Sequence, residues 1–375
     1  MRVVITGGGT GGHLYPGLAI AEALQRLAPH TEILFIGGRK LDARVVPEQG
    51  WPFRAIAGAG LPRRSLPGAA RALVTTAAGI VQALHLLRQW RPDVVVATGG
   101  YVCAPVGAAA VVLGVPLVLQ EQNLRAGLAN RVLARWARWV SVPHPDTTGL
   151  RARRLEVTGV PIRARALEGD RSRGIQRWGL EPDRVTLLVL GGSQGAHSVN
   201  KAVCQAADVL MGETPLQILH QTGTEDLAWV REAIGRREHV GPPAVLHVPA
   251  AFLDPVGDAY ACADLVCCRA GAATLAEITA WGLPAIVIPY PHAGGHQDEN
   301  AAVLVRAGAA VRVADADLAG GALVTAIQTL WADQGRRTAM SHASRALGRP
   351  RAAAAVAGLI LAMGGERVAQ EARAS

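Results

Sequence analysis

The sequence predicts an α/β chain built from two Rossmann-like, doubly wound domains. Three observations carry that prediction. Short apolar strand candidates alternate with helical stretches almost throughout. The pattern restarts near residue 184, where another apolar strand runs into another glycine-rich turn. The chain, at 375 residues, is also too long for one typical hydrophobic core. The expected domains are residues 1–160 and 161–345, with residues 346–375 as a C-terminal helix and tail. The join lies near "TGVPIRARAL", residues 158–167.

Residues 2–6 form the first strand candidate, and "GGGTGGH" (residues 7–13) turns it into a helix over 14–27. Strands over 32–36, 94–97, 116–119 and 139–142 follow, with a long helix over 68–89. The second half offers strands over 184–190, 217–221, 244–248, 265–267 and 285–289, then a helical stretch over 321–364. Residues 94–120 carry no charge and are long enough to span a bilayer. Gly99, Gly100, Pro105, Gly107, Gly114 and Pro116 interrupt them, so they read as strand, glycine turn, short helix and strand. Continuous apolar runs are normal for parallel strands buried on both faces. The apolar segment 352–363 is too short to span and is expected to pack on a domain.

Hydrophobic residues make up 50% and charged residues 18%, ample core material for a globular chain. The net charge of +9 is uneven: residues 1–160 hold 18 Lys and Arg against 8 Asp and Glu, and the remainder is nearly neutral. A basic first half points to an anionic partner, whether nucleic acid, an acidic membrane surface or a phosphorylated substrate. Cys103, Cys204, Cys262, Cys267 and Cys268 are odd in number and contain no C-x-x-C pair. That argues against a disulfide framework or zinc site and for a reducing compartment. Met1-Arg2 runs straight into Val3-Val4-Ile5, so no signal peptide is expected.

Glycine turns that open helices bring backbone N–H groups close to anions. Three occur here: "GGGTGGH", "TGGY" (residues 98–101) and "GGSQGA" (residues 191–196). Gly7, Gly9 and Gly12 spell G-x-G-x-x-G, but a nicotinamide site needs an acid at the end of the second strand. That strand ends in Gly37-Gly38-Arg39-Lys40. "GGSQG" also fits the hydrolase nucleophile elbow, with Asp226, His247 and His292 as chance partners. Ser193 reads better as a phosphate ligand at a helix start.

The segment "CRAGAATLAEITAWGLPAIVIPYPHAGGHQDENA" (residues 268–301) is the most informative. Thr274 is expected to cap a helix, and Glu277 to close a capping box or reach ligand hydroxyls. A strand then delivers the polar loop "HAGGHQDENA". Helix N-terminus, carboxylate and polar loop together suit a nucleotide-sugar.

At this point the ordered motifs "GGGTGGHLYPGLAIAEAL", "RPDVVVATGGYVCAP", "EQN", "TGVPIR", "GGSQGA" and "CRAGAATLAE…GLPAIVIPYP…HQDENA" resemble the MurG-type N-acetylglucosaminyltransferases of peptidoglycan synthesis, over residues 2–345. The resemblance implies a GT-B glycosyltransferase whose two domains face a cleft. It implies inverting transfer of GlcNAc from UDP-GlcNAc to the C4 hydroxyl of undecaprenyl-pyrophosphoryl-MurNAc-pentapeptide. The work is done peripherally at the cytoplasmic face of the inner membrane, in the service of cell-wall growth, cell shape and division. No cofactor or metal-binding DxD motif is implied, and no nucleic acid.

Carried over by motif, the donor site comprises Thr10, Gly11, Gly12, Asn123, Arg163, Ser193, Leu253 beside the uracil, Ala272, Ala273, Thr274, Leu275, Ala276, Glu277 and Gln297. The acceptor pyrophosphate falls to Gly8, Gly9, Gly99, Gly100 and Tyr101. His13 is the candidate general base, placed where a helix dipole favours the neutral ring, with a phosphate hydrogen bond as its alternative role. Glu121 is the second candidate base. The chain departs from the family pattern at Val160, where Asn is usual, and at Leu41-Asp42, where Gly and Glu are common. Neither departure is expected to touch the catalytic groups.

Leu73, Ile80 and Leu84, with Arg63, Arg64 and Arg71 nearby, suit an interfacial helix on anionic lipid. The same leucines could instead pack on the sheet. The rival enzyme is a UDP-GlcNAc 2-epimerase, which shares the GT-B plan and the donor but has no use for a basic first domain. A peripheral membrane scaffold is the non-enzymatic alternative.

Overall fold

The computed structural model describes residues 1–60, 66–192, 195–210, 216–238 and 245–374. The chain divides into two compact units, Met1–Arg163 with Pro350–Ser375, and Ala164–Arg349.

The first unit holds strands β1 (Arg2–Thr6), β2 (Glu32–Gly37), β3 (Phe53–Ala55), β4 (Val94–Ala97), β5 (Leu117–Gln120), β6 (Trp139–Val142) and β7 (Leu155–Val157). Helices α1 (Gly11–Leu27), α2 (Leu41–Glu48), α3 (Leu66–Trp90), α4 (Cys103–Val112) and α5 (Leu128–Leu133) lie between them. The strands pair in parallel in the order β3-β2-β1-β4-β5-β6-β7. Alternation along β1 feeds two cores. Val3 and Ile5 join Leu14, Leu18 and Leu24 of α1 on one face. Val4 joins Ile36, Ala83, Leu87 and Val102 on the other. The charge-free run resolves into β4, α4 and β5, all largely buried.

The second unit repeats the plan with β8 (Val185–Leu190), β9 (Leu216–Gln221), β10 (Leu246–Ala250), β11 (Leu265–Cys268), β12 (Ala285–Val287) and β13 (Ala310–Arg312). They form a parallel sheet in the order β10-β9-β8-β11-β12-β13. Its helices are α6 (Ala164–Leu167), α7 (Arg171–Trp178), α8 (His197–Val209), α9 (Leu227–Glu238), α10 (Val256–Cys262), α11 (Ala272–Trp281), α12 (His296–Arg306), α13 (Ala322–Ala332) and α14 (Gln334–Leu347). The last helix, α15 (Ala352–Ala374), returns to the first unit and packs on α1. Val356, Ala357 and Ile360 are buried there beside Val3 and Leu18.

Strand order reverses direction between β1 and β4 in one sheet and between β8 and β11 in the other. In open α/β sheets, ligands bind at such switch points, outside the carboxyl ends of the strands. The motif loops lie there: Gly7–Thr10 and Thr98–Tyr101 in the first unit, the turns after β8 and β11 in the second.

Because Ile360 is fully buried in the core of the first unit, Ile360→Ala should cost ~2–5 kcal/mol. Urea unfolding measures it; a loss below ~1 kcal/mol would mean that α15 rests on the surface of the unit instead of completing its core.

Candidate active site

At the switch point of the first unit, two glycine turns touch. Gly99 and Gly100 both have positive φ, +100° and +86°, which only glycine adopts readily. A Cβ on Gly100 would sit 2.2 Å from the Gly8 carbonyl oxygen, and one on Gly99 would sit 2.8 Å from His13 Nδ1. The bare backbone is therefore what lets the His13 ring lie on the "TGG" turn. The Thr98 hydroxyl donates to the His13 carbonyl at 2.7 Å, tying the start of α1 to the end of β4.

α1 begins at Gly11 with Thr10 as its N-cap, and no side chain caps it. α11 begins at Ala272 with Gly271 as its N-cap, again with no side-chain cap. Among the described residues, Asp170 and Asp333 cap α7 and α14, and α2, α4, α5, α8, α10, α12 and α13 also begin without a side-chain cap. Uncapped first turns leave backbone N–H groups and the positive dipole end for a ligand. Contrary to the expectation from the sequence, Thr274 does not cap α11; it lies in the first turn, half-buried with Ala272, Ala273 and Ala276, while Leu275 is buried.

Glu277 is no capping-box residue either. Its Oε2 accepts from the Tyr260 hydroxyl at 2.6 Å. Burial pushes its carboxyl up to about 6, although the Tyr260 hydrogen bond and, less strongly, the Arg165 charge pull it down. Gln297 lies in the first turn of α12, so "HQDENA" is helix and only the residues before it are loop. Its side-chain oxygen accepts from the Tyr290 N–H at 2.9 Å. Leu253 is fully buried, with its N–H donating to Gln221 Oε1 at 3.2 Å. Only its backbone can face a base, whereas the neighbouring Phe252 is 53% exposed. The same Gln221 donates to the Gly192 carbonyl, fixing the turn after β8. Ser193, Arg63 and Arg64 lie outside the described residues.

Several expected roles change. Glu121 is 1% exposed, and its two oxygens accept from the N–H groups of Gln122, Asn123 and Gly127 and from the side-chain amides of Asn123 and Asn130. A carboxylate so occupied organises the "EQN" turn; it is not free to take a proton. Gly8 and Gly9 do not face an open phosphate site. The buried Asp42 carboxylate fills their loop, accepting from the Gly9 N–H at 3.1 Å and the Gly38 N–H at 2.8 Å. The departure at Asp42 thus does enter the first glycine loop, and its charge also bars a dinucleotide pyrophosphate there. The Gly99 N–H is taken by Cys103 Sγ. Tyr101 is half-buried across Gly9, Gly38 and Gly58, and its hydroxyl pKa is raised by burial and then by Asp42.

Arg163 belongs to the first unit, where its Nε and Nη2 donate to Glu22 and Gln49 at 2.6–2.7 Å, while its buried Nη1 has no partner among the described residues. The hydrolase partners disperse as well: Asp226 holds His197, Asn200 and Trp229, and His247 meets His220 at 3.0 Å. Burial lowers His220 to about 3, so that ring is neutral at ordinary pH. On α3, Leu73 is exposed, as an interfacial residue must be, but Ile80 and Leu84 are half-buried. The exposed apolar stripe is instead Leu73, Val74, Ala77 and Val81, beside exposed Arg71. Pro67–Trp90 is long and apolar enough to cross a membrane by length and composition, yet its other face is buried through Ala72, Ala83 and Leu87.

Reasoning from sequence missed Gln122, whose Oε1 lies 3.2 Å from His13 Nδ1. Period-two alternation past the end of β5 puts it on the same side as Gln120, a signal that was available. It also missed Tyr260, and Arg269 just before α11. Arg269 is 8% exposed and held by Asp315, Ser198 and the Tyr290 ring.

Comparison with known proteins gives the arrangement a family. Residues 3–142 match the glycosyltransferase family 28 N-terminal domain and residues 186–356 the family 28 C-terminal domain. A protein of Desulforudis audaxviator, named UDP-N-acetylglucosamine--N-acetylmuramyl-(pentapeptide) pyrophosphoryl-undecaprenol N-acetylglucosamine transferase, is 40% identical, covering 98% of this chain and 99% of its own. The protein of the same name from Moorella thermoacetica is 42% identical over 96% and 98%. Among solved structures, Acinetobacter baumannii MurG matches with a TM-score of 0.77 and 26% identity, covering 96% of this chain and 99% of that one. A UDP-GlcNAc 2-epimerase from Neisseria meningitidis, at 15% identity and a TM-score of 0.68, shares the fold alone. The chain belongs to glycosyltransferase family 28, with the GT-B fold, among the MurG-type N-acetylglucosaminyltransferases.

Proposed function

We propose that this enzyme transfers GlcNAc from UDP-GlcNAc to the C4 hydroxyl of undecaprenyl-pyrophosphoryl-MurNAc-pentapeptide, with inversion, giving the β-1,4-linked lipid disaccharide of peptidoglycan synthesis. The observation that carries the reading is about 40% identity over nearly the whole chain to transferases bearing that name. The epimerase reading has only a distant likeness of fold behind it. The basic first half also favours a lipid pyrophosphate acceptor, and we assign it to that and to anionic lipid instead of nucleic acid.

His13 takes the C4 proton as the acceptor oxygen attacks the anomeric carbon. The bond from that carbon to the diphosphate oxygen breaks, and its electron pair leaves with UDP. The uncapped start of α11 offers N–H groups to the growing diphosphate charge, stabilisation placed where charge develops. Glu277 accepts from the ribose hydroxyls, Gln297 meets the sugar, and Phe252 with the Leu253 backbone flanks the uracil. Thr10, Gly11, Gly12 and Asn123 are the first unit's candidates for contact with the sugar. Gly100 and Tyr101 are the remaining candidates for the acceptor pyrophosphate. The exposed stripe of α3 with Arg71 seats the protein on the cytoplasmic face of the membrane.

For Glu277 the sign of the pH effect follows from its raised pKa. Above about 6 it is ionised, and a charge-assisted contact to hydroxyls is worth ~1.5–3 kcal/mol. UDP-GlcNAc, whose diphosphate gains no proton near that pH, should bind with constant affinity above about 6 and more weakly as pH falls through it. Glu277→Gln should bind weakly and lose the dependence; calorimetry across that range checks both. The folded carboxyl also lies above its ordinary 4.5, so Glu277 makes stability fall as pH rises from about 4.5 to about 6, and level off beyond.

His13→Ala should lower turnover by roughly 10²–10⁴-fold with donor affinity little changed. A loss that sits wholly in donor binding would reassign His13 to a phosphate.

Replacing Leu73, Val74 and Val81 by Ser should abolish co-sedimentation with anionic vesicles at low salt while sparing activity on a short-chain soluble acceptor. Equal sedimentation of wild type and variant would remove α3 from the membrane contact.

A further inference from the structure

Among the buried polar groups of the first unit, Gln122 is the one in contact with the His13 ring whose orientation the surrounding atoms fully determine. We infer that Gln122 is a positioning residue that fixes the neutral His13 ring as the Nδ1–H tautomer and so leaves Nε2 as its proton acceptor. The value of this for turnover rests on the reading of His13 as the general base; the tautomer assignment itself does not.

Three side chains set the orientation. Gln120 is fully buried, and its Nε2 donates to the Glu121 carbonyl at 2.8 Å, which aims its Oε1 at Gln122. Gln122 is 2% exposed; its Nε2 donates to that Oε1 at 2.7 Å and to the Thr98 carbonyl at 2.5 Å. Turning the Gln122 amide over would set its oxygen against two other oxygens at those distances. Its Oε1 therefore faces His13 Nδ1, at 3.2 Å. An amide oxygen accepts only, so the hydrogen must be on Nδ1. In a neutral imidazole the other nitrogen then carries the lone pair.

The ring cannot easily abandon this partner. Its backbone is held by the Thr98 hydroxyl, and its Nδ1 lies so close over Gly99 that a methyl group there would collide at 2.8 Å. Thr98 thus fixes both ends of the arrangement, His13 through its hydroxyl and Gln122 through its carbonyl. Glu121 acts one step back, because its carboxylate accepts the Gln122 backbone N–H at 3.0 Å and sets the turn that carries the amide.

The test is long-range ¹H–¹⁵N correlation NMR of the full-length protein labelled at its histidine rings, above the pH at which His13 is protonated, with the His13 signals assigned by their loss in His13→Ala. The expected wild-type spectrum shows a protonated Nδ1 and an unprotonated Nε2. Gln122→Leu should shift the ring toward Nε2–H. It should also lower turnover by at least about tenfold, part of the roughly 10²–10⁴-fold a general base contributes, with the Kd for UDP-GlcNAc unchanged. An Nε2–H ring in the wild type overturns the inference without recourse to any variant, so it stays testable if Gln122→Leu does not fold. An unchanged tautomer in folded Gln122→Leu overturns it too. A tautomer that shifts while turnover holds would uphold the role of Gln122 and remove His13 as the base.

Discussion

The contact between the turn after β1 and the turn after β4 is the constraint on which the first unit's part of the candidate site depends. Gly8 and Gly100 approach so closely that no side chain fits between them, and the His13 ring rests on the bare backbone of Gly99. Everything else at this switch point secures that contact. Asp42 fills the first glycine loop from within, Cys103 takes the Gly99 N–H, and Glu121 gathers the N–H groups of the next turn. The loops that look like phosphate cradles in sequence are thus, in the first unit, mostly cradles for the protein's own groups. What the first unit leaves for a ligand is the first turn of α1, the half-buried His13 ring and the Gly100-Tyr101 pair.

The second unit uses the same plan of strand, glycine turn and uncapped helix for a different purpose. Here the carboxylate near the uncapped helix is not sequestered as Asp42 is. Glu277 has one hydroxyl partner, Tyr260, and an oxygen to spare, and burial raises its pKa to about 6. Burial makes ionising it costly, so hydroxyl donors from a ligand gain more from it than they would from a solvated carboxylate. The buried His220–His247 pair and the Arg269–Asp315 pair hold α8 and the loop before α11 in place, without themselves reaching outward.

Most of the architecture was legible because buried parallel strands are written as short apolar runs: β1, β4 and β6 fall on the expected residues. The three-residue strands β3, β7 and β13 were not, since Phe53–Ala55 and Leu155–Val157 are largely exposed and carry no apolar run. Boundaries are hidden where glycine stands in place of a capping side chain, as Gly271 does before α11, so that Thr274 resembles a cap in sequence. In the site, the residue types were readable but not their occupancy. Nothing in the sequence marks Glu121 as saturated, Arg163 as engaged by Glu22, or Asp42 as reaching back to Gly9. Those pairings are set by tertiary distances over separations of up to 141 residues. The stripe expected on α3 is rotated by roughly 50° about the helix axis from the exposed one, because Ile80 and Leu84 fit the same helical period as Leu73.

The central claim is group transfer to a lipid-linked acceptor hydroxyl. It is tested most directly by following UDP release and sugar products from UDP-GlcNAc, with and without an undecaprenyl-pyrophosphoryl-MurNAc-pentapeptide acceptor. UDP release should depend on the acceptor and match the formation of a β-1,4-linked disaccharide lipid. Conversion of UDP-GlcNAc to an isomeric UDP-sugar without acceptor, or no disaccharide lipid in its presence, would contradict it.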